Sequence, residues 1–455
     1  MSKVRFIHCA DIHLGSFLRL SGKVPEEIFK VCKRAVMEAF LRIMDVAIEE
    51  SVDFLLIAGD LYDREARSVK GSMFFAEQCC RLKEKNIPVF IISGNHDPFR
   101  EQGEIVTLPD NVFIFSSEKV EIRNFSGEAG ELLARVLGQS YRGRADSRKM
   151  HQFYAVPDTS VCNIALLHTQ LDPYNQNYVP CSLSELKNKK GIHYWALGHI
   201  HQCQILNNGL PLIAYAGTPQ GRGIGEQGLR GCLLVELTTE APPRISFIPT
   251  STVIWKKLKI NIAGAQNGGK PPRNLSDLEE LIMQRCEELL SNTPLPPAGL
   301  SLSTDGRGLP IKGFVLQCIL TGRGELHELL VEQEDEVLNC LRQNLQNKYI
   351  MQTPFLWIDS IAVRTGKLIP ALKDLSKREP IFAEIEKIAQ RCLEDRRLQK
   401  ELFAELGMIW ESEFDPEQLN EERFQLDPQT LESIMEQAKE LVAEKLWERR
   451  RRSEN

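Results

Sequence analysis

Histidines that directly follow short apolar segments are the feature that most constrains the fold of this chain. Of its nine histidines, five occupy such positions, mostly beside Asp, Asn or Gly. Each apolar segment is typical of a buried strand, and open α/β sheets gather ligand groups at the carboxyl ends of their strands. The segments are Asp11-Ile12-His13, Gly59-Asp60-Leu61-Tyr62-Asp63, Gly94-Asn95-His96-Asp97, Leu167-His168-Thr169 and Gly198-His199-Ile200-His201. We therefore expect these side chains to converge on one point.

The first half of the chain alternates short β-rich segments with helical ones. After Pro25, apolar residues recur at three- and four-residue steps from Ile28 to Val46, as on one face of a helix. The predicted strands are Val4–Cys9, Asp53–Ala58, Ile87–Ser93, Val161–Leu167, Tyr194–Leu197, Leu212–Ala216 and Cys232–Val235. Strand, helix and strand in succession predict a layered α/β or αββα domain.

Near Pro249 the pattern changes to a small βαβαβ unit. Its predicted elements are the strands Lys256–Ile262, Gly313–Leu320 and Phe355–Val363 and the helices Leu275–Leu290 and Glu325–Gln343. After Gly366 the sequence is helical in character. We therefore predict a catalytic domain over residues 1–248, an α+β capping domain over 249–366 and a helical C-terminal region over 367–455.

Composition excludes several classes of protein. No apolar run approaches the roughly 20 residues of a membrane span, and no cleavage pattern follows the apolar start of the chain, so we expect a cytoplasmic protein without a membrane partner. The 12 cysteines lack the close spacing of zinc ribbons or disulfide frameworks. The net charge of −6 gives no basic excess, so any contact with nucleic acid must be local.

The residue types in the histidine segments indicate metal chemistry. A divalent metal of intermediate softness accepts imidazole nitrogen and carboxylate oxygen together. Two such ions about 3.5–4 Å apart, with a carboxylate between them, can stabilise the attacking and leaving oxygens of a displacement at phosphorus. A single D-x-H or H-x-H triplet is more often a group of surface or core polar residues than a pair of metal ligands. The five segments together, in this order, predict a dinuclear site for phosphoester hydrolysis.

In this order, the motifs resemble the signature of the calcineurin-like metallophosphoesterases: D-x-H, G-D-x-x-D, G-N-H-D, H and G-H-x-H, matched over residues 4–201. The resemblance implies a four-layer αββα sandwich and two divalent ions that share Asp60. The first ion would be held by Asp11, His13, Asp60 and His201, and the second by Asp60, Asn95, His168 and His199.

The resemblance also assigns roles beside the metals. The His96 side chain would face the scissile phosphate as an electrophile or general acid, with Asp97 positioning it. Asp63 would lie just outside the ligands. Manganese is the expected metal, with iron or zinc as alternatives.

Within that family the chain is most similar to DNA-repair exonucleases of the SbcD type, and particularly to a bacterial YhaO-like branch. The residues that carry this similarity are Ala10–Gly15, Tyr215–Gln220 and Leu320–His327. Such nucleases cap the active site with a small α/β domain and dock an SMC-like (SbcC-type) ATPase through later helices. The resemblance thus implies a DNA exonuclease or endonuclease in a hetero-oligomer, within which a homodimer is left open.

Contacts to DNA are less defined by the sequence. Arg142 and Arg144 lie in the loop after Ser140-Tyr141, and Arg222 lies in a Gly-rich loop. Such side chains could neutralise phosphates without reading sequence, although solvated loop charge is the equal alternative. Related archaeal and eukaryotic nucleases often have a histidine for DNA handling where this chain has Asp63.

Two other functions stay open at this point. The same ligands serve small-molecule phosphatases and cyclic-nucleotide phosphodiesterases, and the acidic net charge does not favour DNA. A non-catalytic scaffold that binds an ATPase is the third hypothesis, which the complete ligand set disfavours.

Overall fold

The computed structural model describes residues 2–63, 68–98, 106–264, 270–292, 294–302, 311–370, 372–395, 397–398 and 428–454. The chain divides into two compact units. The first comprises Met1–Ile260, Glu279–Ile319 and Asp335–Ala362, and the second Asn261–Leu278, Leu320–Glu334 and Val363–Asn455. The domain boundaries predicted at residues 248 and 366 stay predictions.

Strands dominate the first half of the chain, and each of the seven predicted there is present. The strands are β1 Lys3–Cys9, β2 Phe54–Ala58, β3 Val89–Ile92, β4 Val112–Ile114, β5 Glu121–Ser126, β6 Leu132–Gly138, β7 Cys162–His168, β8 Tyr194–Gly198, β9 Gln204–Asn207, β10 Leu212–Tyr215, β11 Gly231–Thr238, β12 Arg244–Pro249, β13 Val253–Asn261, β14 Gly313–Arg323 and β15 Phe355–Gly366.

Helices flank the strands in the first half and predominate after residue 366. They are α1 Glu26–Glu49, α2 Val69–Lys83, α3 Leu183–Lys187, α4 Leu275–Ser291, α5 His327–Glu332, α6 Glu334–Tyr349, α7 Leu372–Arg378, α8 Pro380–Glu394 and α9 Pro428–Glu454. The predicted helical C-terminal region is thus present in α7, α8 and α9, while residues 399–427 lie outside the described part of the chain.

Two six-stranded sheets form the centre of the first unit. Their strand orders are β12-β11-β1-β2-β3-β4 and β5-β6-β7-β8-β10-β9. The sheets face each other across aromatic contacts, because the Phe6 ring of β1 lies 5.2 Å from the Tyr194 ring of β8. In β2 and β7 every residue is buried, which explains their continuous apolar sequences.

Residues that alternate along β1 separate the layers. Phe6 and His8 contact Tyr194 of the second sheet, while Ile7 and Cys9 belong to the core that α1 and α2 cover. In α1 the buried positions include Ile28 and Ala35, which lie on the predicted apolar face.

The outer face of the second sheet has a thinner cover. Its core includes Trp195 of β8, Tyr154 beside a 3-10 turn at Met150–Phe153, and Leu186 of the short helix α3. The four layers are thus the helices, the first sheet, the second sheet and this mixed cover. The predicted four-layer α/β sandwich is confirmed.

The predicted βαβαβ elements are also present. β13, β14 and β15 form a three-stranded sheet in that order, with α4 between the first two strands and α5 and α6 between the last two. The helix predicted from residue 325 to 343 is therefore two helices, the second of which ends at Tyr349.

The second unit has a small core of its own. Leu375 of α7, Phe382 of α8 and Ala443 of α9 pack together. Arg323 binds this arrangement from the end of β14, with its guanidinium 2.9 Å from the Glu444 carboxylate. The helical tail is thus fixed by an apolar cluster and an ion pair.

Across the described residues, every helix is too short or too polar to span a lipid bilayer. All 12 cysteines lie in described segments and are unpaired, and nine of them are buried.

Gly231 in β11 has no room for a side chain, because a Cβ atom there would lie 2.0 Å from the carbonyl oxygen of Ile248. We expect Gly231→Ala to lower the free energy of unfolding by about 1–3 kcal/mol, the usual cost of overpacking, as measured by urea denaturation. The control is Gly143→Ala, since the nearest atom to a Cβ there lies 3.8 Å away. Equal losses in the two variants would contradict the prediction.

Candidate metal centre

The carboxyl ends of parallel strands bring the histidine segments together. β1, β2 and β3 are parallel in the first sheet, and β6, β7 and β8 in the second. The backbone N–H of Asp11 donates to the carbonyl oxygen of Gly59 at 3.1 Å, and that of His13 to Asp60 at 3.0 Å. The segments that follow β1 and β2 therefore have a fixed relative position.

Four candidate ligands lie in the left-handed region of backbone conformation. The φ angles are 51° at Asp11, 52° at His13, 50° at Asp60 and 101° at His199. Such conformations cost about 1–3 kcal/mol for residues with side chains, and they cluster at functional sites where the surrounding structure enforces them. The hydrogen bonds between strand ends provide that enforcement here.

Glycines make room for the polar side chains. A Cβ atom at Gly59 would lie 2.3 Å from Nδ1 of His168, and one at Gly94 would lie 2.3 Å from Oδ1 of Asp60. Both glycines precede a predicted ligand directly. Their missing side chains let the backbone approach the cluster closely.

Asp60 lies at the centre of the cluster. Its Oδ2 atom is 3.4 Å from Nε2 of His168 and 4.0 Å from Nε2 of His13. Its Oδ1 atom accepts a hydrogen bond from the backbone N–H of His96 at 2.8 Å. One carboxylate thus reaches both predicted histidine groups, and only 2% of its side chain is exposed.

Asp11, His13 and His201 form the first group around Asp60. One ligand atom from each lies within 4.8 Å of the other two. The Nε2 atoms of His13 and His201 are 3.3 Å apart, which is close enough for both to bind one ion. Imidazole and carboxylate donors of this kind fit a divalent metal of intermediate softness.

Asn95, His168 and His199 form the second group. The amide oxygen of Asn95 is 2.9 Å from Nε2 of His168 and 3.2 Å from Nδ1 of His199. Nδ1 of His168 lies 2.9 Å from the carbonyl oxygen of Ala58, an acceptor that fixes its orientation and turns Nε2 toward Asp60. Asp11, Asp60 and His168 also offer a set of ligand atoms within 4.8 Å.

The charges of Asp60 and His168 balance each other. Burial opposes ionisation of Asp60, but the charge and hydrogen bond of His168 outweigh it and hold the pKa of Asp60 below its usual range. Burial also disfavours the charged form of His168, yet the Asp60 carboxylate raises the pKa of His168 to about 9. At neutral pH the proton on His168 therefore supplies the positive charge that a cation would supply, so metal binding would release it.

The His96 side chain is 44% exposed and bonds to Asp63. Nδ1 of His96 lies 2.9 Å from Oδ1 of Asp63, whose other oxygen accepts from the Ser16 hydroxyl at 2.8 Å. Because Nδ1 is engaged, Nε2 is the nitrogen left for a substrate.

The role predicted for Asp97 needs correction. Its carboxylate accepts hydrogen bonds from the backbone N–H groups of Gly94 at 2.9 Å and Tyr62 at 3.1 Å. Asp97 thus fixes the turn that carries His96, whereas Asp63 is the carboxylate that positions the ring. Burial first, and then the charge of Asp60, raise the pKa of Asp97 to about 7.

Glu226 is a site residue that sequence reasoning missed. Its Oε1 atom lies 2.5 Å from Nδ1 of His201, and its Oε2 atom accepts from the backbone N–H of Arg222 at 2.6 Å. Burial favours the neutral acid, but the bond to His201 prevails and lowers the pKa of Glu226 to about 2. A carboxylate behind a metal-binding imidazole typically orients it. The available signal was that Glu226 is the single acidic residue between positions 221 and 229.

The three predicted substrate arginines have different surroundings. Arg222 lies at the site, where its Nη1 atom is 3.2 Å from Oδ2 of Asp63. Arg142 is exposed and pairs with Glu118 at 2.7 Å. Arg144 is exposed on the same loop.

That loop is joined to the cluster through Tyr178, which the sequence did not single out. Tyr178 forms a parallel bridge with Asp146. Its ring packs on His199, with centroids 4.5 Å apart. Asp146 of that loop is therefore linked through Tyr178 to His199 of the second ligand group.

Comparison with known proteins gives a family match over the same part of the chain. Residues 4–203 match the model of the calcineurin-like phosphoesterases. The uncharacterized metallophosphoesterase YhaO of Bacillus subtilis (strain 168) is 35% identical over 269 residues, which cover 59% of this chain and 65% of that protein.

Two DNA double-strand break repair proteins named Mre11 are more distant relatives. The protein from Thermoplasma acidophilum is 27% identical over 224 residues, covering 47% of this chain and 56% of that protein. The protein from Sulfolobus acidocaldarius is 23% identical over 356 residues, covering 76% of this chain and 86% of that protein. The chain spans less than two thirds of the length of YhaO and of the Thermoplasma protein.

Removal of Glu226 should weaken metal binding. In Glu226→Ala the His201 ring loses its acceptor, so we expect the affinity for Mn²⁺ to fall about 10- to 100-fold in calorimetric titration. The control is Glu118→Ala, which removes an exposed carboxylate that pairs with Arg142. Unchanged affinity in Glu226→Ala would refute the orienting role.

Proposed function

We propose that the protein is a metal-dependent DNA nuclease, because residues 4–203 match the model of the calcineurin-like phosphoesterases. The observation that carries the proposal is the position of Asp60, which lies between two histidine groups and hydrogen-bonds the backbone of the exposed His96. This arrangement suits the hydrolysis of a phosphodiester. The activity proposed is that of an exonuclease, and endonuclease activity is proposed in addition.

Two divalent ions are proposed as cofactors, with manganese first and iron or zinc as alternatives. The proposed ligands of one ion are Asp11, His13, Asp60 and His201, and those of the other are Asp60, Asn95, His168 and His199. When bound, such ions stabilise negative charge on the attacking and leaving oxygens at phosphorus. The donor types and the short distances within each group fit this role.

The residues around the ions would position the substrate and move a proton. His96 would approach the phosphate through Nε2 and donate its proton to the leaving oxygen, while Asp63 holds the ring through Nδ1. Arg222, which bonds to Asp63, would keep that carboxylate in place and add positive charge near the phosphate. Arg142 and Arg144 are proposed contacts for the DNA backbone farther along the substrate.

DNA is favoured as the substrate by the Mre11 relatives and by the α+β elements that follow residue 249. The opposing observation is the net charge of −6, which would suit a small-molecule phosphatase or cyclic-nucleotide phosphodiesterase equally well. Rates on a panel of nucleotides compared with DNA distinguish these functions.

Cleavage of end-labelled DNA tests the nuclease proposal. Purified protein with Mn²⁺ should cut single- or double-stranded DNA, and EDTA should abolish cutting. We expect His96→Ala to lower the rate about 100-fold or more, as loss of a proton donor does, and Asp60→Asn to abolish activity by removing the charge shared by both groups.

The control variant for this assay is Asp110→Asn, which removes an exposed carboxylate paired with Lys83. It should cut DNA like the wild type. Cutting that persists in Asp60→Asn would refute the site, and hydrolysis confined to nucleotides would refute the DNA substrate.

We also propose that the helical tail docks an SMC-like ATPase that acts in DNA repair. Within the resulting hetero-oligomer, two copies of this chain could form a homodimer. In the tail, Ile381 and Ile388 of α8 are 51% and 52% exposed and lie seven residues apart, hence on one helix face. Such an apolar face suits a partner helix.

Deletion of residues 371–455 tests the docking segment. The deleted protein should lose co-purification with the ATPase, because the exposed apolar face is removed. It should keep the metal-dependent DNA cleavage of the wild type, because the proposed ligands all precede residue 202. Co-purification that survives the deletion would contradict the tail as the docking site.

A further inference from the structure

A groove of about 500 Å³ lies beside the proposed active site. One wall contains Asp63, Arg222 and Glu226, the residues that contact the rings of His96 and His201 directly or through each other. The other wall is the loop after β1, which presents Phe17 and Arg19. The groove therefore adjoins side chains that contact His96 and His201 and continues onto a loop that the proposed chemistry does not use.

Backbone hydrogen bonds fix the loop on both sides of Phe17. The backbone N–H of Ser16 donates to His13 at 3.0 Å, and that of Arg19 donates to the carbonyl oxygen of Arg222 at 2.9 Å. The N–H of Ser21 donates to the buried carboxylate of Asp359 at 2.6 Å. A fixed backbone lowers the entropy lost when a ligand binds.

Phe17 is 57% exposed on this fixed loop. An exposed aromatic ring offers a flat face on which a nucleic-acid base can stack. The ammonium group of Lys33 lies 6.0 Å from the centroid of the Phe17 ring and 5.9 Å from that of Phe29, which is also exposed. An aromatic ring with a cation close by is the combination that binds an unpaired base and its backbone.

The charges in the groove favour an anionic ligand. Both acidic side chains are occupied, since Asp63 bonds to His96 and Arg222, and Glu226 bonds to His201. Arg19 is exposed, and its guanidinium makes no ion pair within the described part of the chain. The guanidinium of Arg19 is therefore available to a phosphate group, and Arg19 lies two residues from Phe17 in the chain.

We propose that this groove binds an unpaired nucleotide of the DNA strand, with the base stacked on Phe17 and a phosphate on Arg19. The inference rests on the proposed nuclease function and narrows its substrate to strands with at least one unpaired base beside the cleaved bond. Stacking is tolerant of base identity, so no sequence preference follows from it. Phe17 is a binding residue here and takes no part in bond cleavage.

Binding without cleavage tests the proposal. Full-length wild type, Phe17→Ala, Phe17→Tyr and Arg19→Ala are titrated in EDTA against two fluorescein-labelled oligomers of equal length, one of thymidines and one of abasic residues. Fluorescence anisotropy gives the dissociation constants. We expect Phe17→Ala to weaken binding of the thymidine oligomer about 5- to 100-fold, the effect of removing one stacked base, and to leave the abasic oligomer unchanged.

The other variants separate stacking from charge. Phe17→Tyr keeps the ring and should bind as the wild type does, whereas Arg19→Ala should weaken both oligomers alike. Phe153→Ala removes a ring outside the groove that is 68% exposed, more than Phe17, and should have no effect.

Three results would overturn the proposal: wild type that binds neither oligomer, Phe17→Ala that binds thymidines like the wild type, or equal losses in Phe17→Ala and Phe153→Ala. Because no metal or cleavage enters this assay, a failed nuclease proposal is recognised separately by the absence of DNA cutting with Mn²⁺.

Discussion

A carboxylate withdrawn almost completely from water, that of Asp60, is the constraint on which the rest of the site depends. Burial of a charge is costly unless opposite charge and hydrogen bonds compensate. Here His168 supplies the charge, the backbone N–H of His96 supplies a hydrogen bond, and both come from segments far from Asp60 in the chain. Both sheets must therefore be correctly packed before the site can exist.

The sandwich meets this requirement through its two-sided strands. β1 contacts helix α1 through one set of side chains and the second sheet through the other, so its carboxyl end is held from both directions. At that end, Asp11 and His13 adopt left-handed conformations that isolated residues would avoid. The strain is sustained by hydrogen bonds to the end of β2, which ties the local geometry of the cluster to the packing of the whole domain.

Arg222 connects the two histidines that border open space. Its guanidinium lies 3.2 Å from Asp63, the partner of His96, and 3.9 Å from Glu226, the partner of His201. Two carboxylates that each hold an imidazole would repel each other without a cation between them. The same arginine forms a wall of the groove that contains Phe17, so the position of the proposed nucleotide site is linked to that of the proposed catalytic residues.

The sequence by itself determined the class of fold, the seven central strands and the identity of the candidate ligands, because apolar runs and the polar residues that follow them are local signals. It did not reveal β4, β5, β6, β9 or β12. Most residues of β5 and β9 are exposed or half-buried and give little apolar signal, whereas β6 escapes prediction although its last five residues are buried. Only the tertiary structure decided that Asp63 and not Asp97 holds His96, and that Glu226 stands behind His201. Those pairings join residues from different loops, and a sequence pattern carries no information about which side chains meet across folded strands.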